Sequence, residues 1–270
     1  MYAAAIIVFR ESLEAALIIG IMLAATRGIA MRGRWVWGGV LLGLTGAGLV
    51  AYSMEMIGNL LDGMGQEYFN IGVLLFAIAM LAWHNIWMAS HGRELAEQMK
   101  STARAVTDGQ SERSIILVVI ALAVMREGAE TVLFLYGLAN SGEQGLRDTF
   151  TGGSLGLLAG IAVAGLLYAG LLRIPLRWFF GVTGALVLLL AASMASQVAR
   201  LLMQVDALPS LAAPMWDTSN VLAQDSVAGT LLHGLMGYDA QPDGTQVLAY
   251  VATLLLIATG MLLVSRRNTR

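Results

Sequence analysis

Two copies of one charged pattern lie inside apolar stretches of the sequence. Residues 10–14, RESLE, and residues 126–130, REGAE, share the spacing Arg-Glu-x-x-Glu. Positions i and i+3 lie on one side of a helix, so each motif would present both of its carboxylates in one direction. Clusters of carboxylates suit hard cations, and a nearby imidazole suits iron or manganese better than copper(I). The pattern therefore predicts a metal site formed by Glu11, Glu14, Glu127 and Glu130.

The two arginines of the motifs, Arg10 and Arg126, would hold these carboxylates in place. Each Arg could instead form a structural bridge with a Glu, or the carboxylates could carry protons alone. Two positive charges do not neutralise four negative ones, however, so two carboxylates still need protons or cations. Charges at membrane depth are costly and usually functional. We therefore favour metal binding over both alternatives.

The composition places these motifs in a membrane protein. The chain has 270 residues, of which 57% are hydrophobic and 13% are charged, and the apolar residues form long runs. A run of about 20 apolar residues is long enough to cross a bilayer as a helix. The sequence predicts an all-α polytopic membrane protein with seven transmembrane helices at residues 3–25, 35–57, 69–90, 114–138, 152–172, 178–202 and 246–264.

Basic residues indicate the orientation of these helices. Twelve of the 16 Lys and Arg residues fall in alternate loops and the C-terminal tail. The positive-inside rule then predicts a multi-pass protein of the inner (plasma) membrane, with the N-terminus outside and the C-terminus in the cytoplasm. The opposite loops are acidic and would attract cations. There is no Cys, which excludes thiolate metal sites and disulfides.

The position of the two motifs indicates an inverted repeat. With seven helices, the helix at 3–25 runs inward and the helix at 114–138 runs outward, yet both carry the motif. We interpret residues 1–270 as one permease domain in which repeat one spans about 1–92 and repeat two about 113–203. An outer loop, 203–245, and the seventh helix, 246–264, complete it. Transporters built this way place their site between the repeats, near the midplane.

A few other residues are candidates for the path of an ion. His84, Met88 and His91 share one face of the third predicted helix and could line an exit on the cytoplasmic side. Glu67 at the outer start of that helix, with Asp217 and Asp225 in the outer loop, could receive the ion. A heme-linked oxidoreductase would need two axial histidines at one depth. Only His84 is predicted to lie deep, which argues against that class.

The chain resembles the high-affinity iron permease family, also called the oxidase-dependent iron transporter family. This family includes a fungal permease that works with a multicopper ferroxidase and the bacterial EfeU-type permease. The resemblance is carried by residues 7–18, IVFRESLEAALI, and 124–134, VMREGAETVLF, and continues through residues 66–69, 175–180, 216–219 and 229–238. It implies seven helices, an outer N-terminus and import of iron into the cytoplasm, with the motif glutamates as ligands. Iron would be the transported substrate, with no permanently bound cofactor.

The sequence departs from this family at two points. Ser12 stands where the first motif usually has Gly, and no fused periplasmic domain precedes the first helix. We therefore expect any iron-loading or oxidase partner to be a separate periplasmic or extracellular protein, and we expect no nucleic-acid partner. The expected function is a permease for Fe(II) or Fe(III), not an enzyme. The alternative is an importer or proton-coupled transporter of another metal cation, such as manganese or lead.

Overall fold

The protein is helical throughout the described residues. The computed structural model describes residues 1–26, 29, 31–60, 66–109, 112–140, 145–169 and 176–267. These residues form eight helices and no strand, which confirms the all-α prediction. The helices are α1 (Tyr2–Ala25), α2 (Arg32–Leu60), α3 (Gln66–Thr107), α4 (Ser114–Asn140), α5 (Leu146–Tyr168), α6 (Leu176–Gln204), α7 (Val227–Met236) and α8 (Gly244–Arg267).

Five of these helices are long and apolar enough to cross a membrane. They contain the segments Arg32–Gly58, Glu67–Trp87, Arg147–Tyr168, Gly181–Gln204 and Gly244–Val264. Helices α1 and α4 are also long, with 24 and 27 residues, but each carries the three charged side chains of its motif. Large apolar side chains are exposed on α2, α5 and α8, as expected for surfaces in contact with lipid. The chain is an integral membrane protein.

Each predicted span corresponds to a helix, but several boundaries differ. Helix α3 continues to Thr107, well past the predicted end at residue 90. Helix α5 begins at Leu146 rather than at residue 152 and ends at Tyr168. The predicted continuation to residue 172 falls partly on 170–172, outside the described residues. Polar residues such as those after position 90 can extend a helix beyond the bilayer, which an apolar run alone does not indicate.

Small residues bring the motif helices against neighbours from the other half of the chain. Gly39 and Gly43 of α2 lie close to α4. A Cβ added to Gly39 would be 2.7 Å from the backbone oxygen of Leu117, and one added to Gly43 would be 2.7 Å from the Cβ of Val124. Gly152 and Gly156 of α5 lie even closer to the backbone of Met1 and Ala5, at the start of α1. Such glycines at i and i+4 allow helix backbones to approach in a membrane. As a result α2 packs mainly against α4, and α5 packs mainly against α1.

The segment between α6 and α8 is an ordered loop that contains α7. The Ser226 hydroxyl accepts a hydrogen bond from the Gly229 amide and caps this helix, which ends at Gly237 in the left-handed conformation (φ 71°). Helix α7 contacts α1 and α6. The Tyr250 hydroxyl of α8 donates to the Met236 carbonyl at 2.8 Å. The loop is therefore attached to three of the long helices.

Candidate metal site

The motif of α1 lies on the buried face of that helix. Buried residues recur along α1 at helical spacing, and Arg10, Glu11 and Glu14 continue the same face as the apolar residues around them. The face is buried against α3, α4, α5 and α6. Burial of three charged side chains is expensive unless they satisfy one another or a bound cation. The ion pairs of this half therefore determine how its three buried charges are accommodated.

Arg10 forms the ion pairs of the α1 half. Its Nε lies 3.0 Å from Glu14 Oε1, and its Nη1 lies 3.6 Å from Glu11 Oε1. The Arg10 side chain is only 3% exposed. One guanidinium thus faces two buried carboxylates, which leaves a negative charge in this half.

Arg126 repeats this arrangement on α4 with one difference. Its Nε lies 3.1 Å from Glu130 Oε1 and 3.9 Å from Glu127 Oε1. The Arg126 side chain is 40% exposed, and its guanidinium lies over the ring of Trp87 at 5.2 Å from the centroid. A cation over an aromatic face is attracted by the ring quadrupole. The two arginines therefore pair alike but lie in different surroundings.

His84 of α3 lies between the two motifs. Its Nε2 is 3.3 Å from Glu14 Oε2, and its Nδ1 is 2.8 Å from Glu130 Oε2. The imidazole is 2% exposed. The Arg126 Nη2 also lies 3.4 Å from Nδ1. The contact with Glu130 is the shorter of the two and is the main contact of this nitrogen. His84 thus connects the second glutamate of one motif with the second glutamate of the other.

Several buried oxygens of this cluster accept no hydrogen bond from the described part of the chain. Both carboxylate oxygens of Glu11 are in this position, as is Glu127 Oε2. Ligand atoms of Glu11, Glu14 and His84 lie within 4.8 Å of one another, and so do those of His84, Glu127 and Glu130. Buried carboxylates without donors are suited to a cation. The donor atoms of this cluster are therefore suited to bind a metal ion.

Two apolar clusters lie on either side of the charged residues along the helices. One includes Ile7 of α1, Leu81 of α3 and Phe134 of α4; the other includes Met22 of α1 and Ile120 of α4. On α1 and α4 the motif lies between the residues of the first cluster and those of the second. All five of these side chains have a relative exposure of 0%. In this conformation the charged residues are separated from both ends of the helices.

The other candidate residues lie away from this cluster. Glu67 is exposed and precedes His84 by 17 residues on α3, about 25 Å along the helix. Asp225 is exposed in the outer loop. The exposed Asp217 accepts hydrogen bonds from Ser219 and from Gln241. These bonds, led by that of the Ser219 hydroxyl, hold the pKa of Asp217 below its usual value.

The histidine stripe proposed for α3 is described only in part. The side chains of Met88 and His91 lie outside the described residues. His84 was placed on an exit path by the sequence, whereas the structure brings it into the glutamate cluster itself. Trp87 was not selected from the sequence, although its spacing of three residues from His84 puts both on one side of α3.

Comparison with known proteins identifies the family to which this chain belongs. Residues 1–267 match the family described as Iron permease FTR1 family. The chain belongs to this family. It is 31% identical over 260 residues to the ferrous iron permease EfeU of Escherichia coli O6:H1, covering 94% of this chain and 93% of the relative. It is 28% identical over 260 residues to the ferrous iron permease EfeU of Yersinia pestis, covering 94% and 91%. No solved structure matches the chain.

Membership of the iron permease FTR1 family confirms the resemblance found in the sequence. It supports a role in iron transport across a membrane, and these relatives are named permeases, which are transporters rather than enzymes.

Proposed function

We propose that this protein imports iron across the cytoplasmic membrane through the cluster of Glu11, Glu14, Glu127 and Glu130, with Arg10 and Arg126 positioning the carboxylates. The observation that carries the proposal is the meeting of both motifs around one buried imidazole. With all four glutamates ionised and His84 neutral, the two arginines leave two negative charges, and the two oxygens of Glu11 accept no hydrogen bond from the described chain. A divalent cation would supply the missing charge and occupy these oxygens.

Fe(II) is the ion we propose. The cluster offers carboxylate oxygens together with one imidazole, a donor set that suits iron and manganese and discriminates against copper(I). The two relatives described above are named ferrous iron permeases. A carboxylate cluster of this kind also accepts manganese, so a manganese importer is the second candidate. Competition between the two ions distinguishes them.

We propose that seven helices cross the membrane as a 3+3 inverted repeat plus α8, with the N-terminus outside. The packing supports this arrangement, because α2 contacts α4 in the way that α5 contacts α1. Rocking of one triplet against the other would open the buried site to each side in turn. In this proposal, the conformation with apolar residues on both sides of the cluster corresponds to a state in which both sides are closed.

Iron would reach this site from the acidic outer surface. Glu67 and Asp225 are the proposed residues on the way, since both are exposed. Asp217 is less suited, because its carboxylate already accepts three hydrogen bonds within the loop. We expect no permanently bound cofactor. An iron-loading or oxidase partner, where one exists, would be a separate protein outside the membrane.

Uptake of radioactive iron by cells that express this chain tests the proposal. Wild type is compared with Glu127→Gln plus Glu130→Gln, and the matched control is Glu97→Gln plus Glu112→Gln, which removes two exposed carboxylates elsewhere. Uptake is measured with and without a reductant and with excess manganese. We expect reductant-dependent uptake in wild type and control, and at least a tenfold loss in the motif variant at equal membrane abundance.

Different failures would contradict different parts of the proposal. Uptake that survives removal of both glutamate pairs would exclude the cluster as the path. Uptake that needs no reductant and persists in the presence of a ferrous chelator would assign Fe(III) as the transported ion. Manganese that is transported in preference to iron would assign the second candidate function.

A further inference from the structure

We propose that the cluster holds one metal ion at a time, in either of two positions that share the imidazole of His84. The α1 position consists of Glu11, Glu14 and His84 Nε2, and the α4 position of Glu127, Glu130 and His84 Nδ1. This inference rests on the proposed transport function and specifies how its site is divided.

The contacts of the imidazole define the two positions. Nε2 faces Glu14 at 3.3 Å, and Nδ1 faces Glu130 at 2.8 Å, so the two ring nitrogens point to different motifs. The ligand atoms form two groups within 4.8 Å, and His84 is the member common to both. A site shared evenly by four glutamates would need no such residue between them.

The chemistry of a neutral imidazole restricts it to one of these positions at a time. Only one of its nitrogens has a free lone pair, and the other carries a proton. When Nε2 binds the ion, the Nδ1 proton can be donated to Glu130; when Nδ1 binds it, the Nε2 proton can be donated to Glu14. Histidine ligands commonly donate their second N–H to a carboxylate, which fixes the ring. The glutamate of the empty position thereby orients the ligand of the occupied one.

The arginines make the two positions equivalent in charge. Arg10 Nε pairs with Glu14 at 3.0 Å, and Arg126 Nε pairs with Glu130 at 3.1 Å. One divalent ion together with both guanidiniums neutralises the four carboxylates. A second divalent ion would leave a surplus of two positive charges in a buried cluster, which is costly. Single occupancy follows from charge as well as from the imidazole.

This division gives an ion a route between the two halves. Glu11 and Glu14 belong to α1, whereas Glu127 and Glu130 belong to α4, and His84 lies within reach of both pairs. An ion that exchanges the α1 carboxylates for the α4 carboxylates leaves Nε2 and binds Nδ1 of the same imidazole, while the ring proton passes from Nδ1 to Nε2. His84 is thus the residue through which the motifs act on one ion.

Binding of Co²⁺ to the purified full chain in lipid nanodiscs tests this proposal. Calorimetry gives the number of ions per chain, and X-ray absorption detects a coordinated imidazole. The variants are Glu11→Gln plus Glu14→Gln, Glu127→Gln plus Glu130→Gln, and His84→Gln, with Glu97→Gln plus Glu112→Gln as the control. Size-exclusion profiles establish that each variant is folded.

We expect one Co²⁺ and one imidazole ligand per chain in wild type and control. Each pair variant should still bind one ion with one imidazole, more weakly by about tenfold or more, because one complete position remains. His84→Gln should lose the imidazole signal and bind about 10- to 100-fold more weakly.

Two ions per wild-type chain, or no imidazole in its spectrum, would overturn the proposal. So would a folded pair variant that binds no ion, because that result indicates a single site of four glutamates. Either of the two wild-type results overturns the proposal even where a variant does not fold. If iron uptake depends on the glutamates but the Co²⁺ spectrum shows no imidazole ligand, this inference is wrong and the proposed function stands. If the wild-type protein binds no metal, the proposed function is wrong as well.

Discussion

Ser12 of α1 lies against Gly160 of α5 so closely that any side chain on Gly160 would collide with the Ser12 hydroxyl. The corresponding position of the second motif, Gly128 of α4, lies against Ala47 of α2, with 2.7 Å between the Ala47 Cβ and the place of a Gly128 Cβ. Each crossing pairs one glycine with one small side chain, but the glycine is on the motif helix in one case and on its neighbour in the other. Gly160 thereby accommodates the serine in the first motif.

Gly160→Ala should destabilise the protein because the added methyl group overlaps Ser12. Overpacking of this kind costs about 1–3 kcal/mol. The double variant Gly160→Ala plus Ser12→Gly should recover much of the loss, since it moves the glycine to the other helix. Thermal denaturation followed by size-exclusion chromatography measures both effects.

Gly165→Ala is the matched control for this experiment. No atom lies within 4 Å of an added Cβ at Gly165, on the same helix. Alanine favours a helix over glycine by about 1 kcal/mol, so the control should be neutral or slightly stabilised. Equal melting temperatures for the two single variants, or a double variant no better than Gly160→Ala, would contradict the explanation of Ser12.

Arg10→Gln and Arg126→Gln should differ although the two residues occupy the same motif position. Arg10 is 3% exposed, and its loss leaves Glu11 and Glu14 buried without their cation. Breaking a buried pair in this way costs about 3–5 kcal/mol. Arg126 is 40% exposed, so the space that its side chain would leave beside Glu127 and Glu130 is open at the surface of the chain.

We expect Arg10→Gln to lower the amount of folded protein in the membrane severely, and Arg126→Gln to lower it less. Quantification of the folded fraction by fluorescence-detected chromatography checks this order. Arg10→Lys, which keeps the charge, should recover part of the abundance. A similar loss for both glutamine variants would show that burial does not determine the role of the two arginines.

The motif helices and the common direction of the two glutamates in each motif could be predicted from the sequence, because the signals for both are local. The length of an apolar run indicates which segment can cross the membrane as a helix. The i, i+3 spacing places the side chains of Glu11 and Glu14 on the same side of that helix. The position of His84 is not local. It depends on how α3 packs against α1 and α4, and therefore an isolated histidine in an apolar run gave no indication of two glutamate partners. The difference between the two arginines likewise depends on tertiary contacts, with Trp87 lying on another helix.

Acidification should loosen the outer loop through two hydrogen-bonded carboxylates, the exposed Asp217 and the buried Asp243. Hydrogen bonds from Ser219 and Gln241 lower the pKa of Asp217, and bonds from the Ser210 hydroxyl and the Thr245 amide lower that of Asp243. A lowered pKa in the folded state means that these bonds stabilise the loop above the ordinary value of 3.8. Their contribution is lost as the pH falls below that value through the folded pKa.

Hydrogen exchange of residues 205–243 between pH 5 and pH 2.5, corrected for intrinsic rates, measures this loosening. Protection in wild type should fall across the acidic end of this range. Asp217→Asn plus Asp243→Asn should show low protection already at pH 5 and a weaker dependence on pH. Asp225→Asn is the control, because Asp225 is an exposed carboxylate of the same loop. A wild-type loop whose protection does not change with pH would contradict the role of these hydrogen bonds.

Gly237→Ala should detach the C-terminal end of α7 from α6. Gly237 has φ 71°, which L side chains rarely adopt, and an added Cβ would lie 2.6 Å from the Cβ and Oγ of Ser193. Strain of this kind costs about 1–3 kcal/mol, and the contact with Ser193 adds to it. Limited proteolysis from the outer side should therefore cut the loop faster in this variant. Gly145→Ala, where an added Cβ meets no atom within 4 Å, should be cut like wild type. Equal cutting of both variants would show that this attachment does not hold the loop in place.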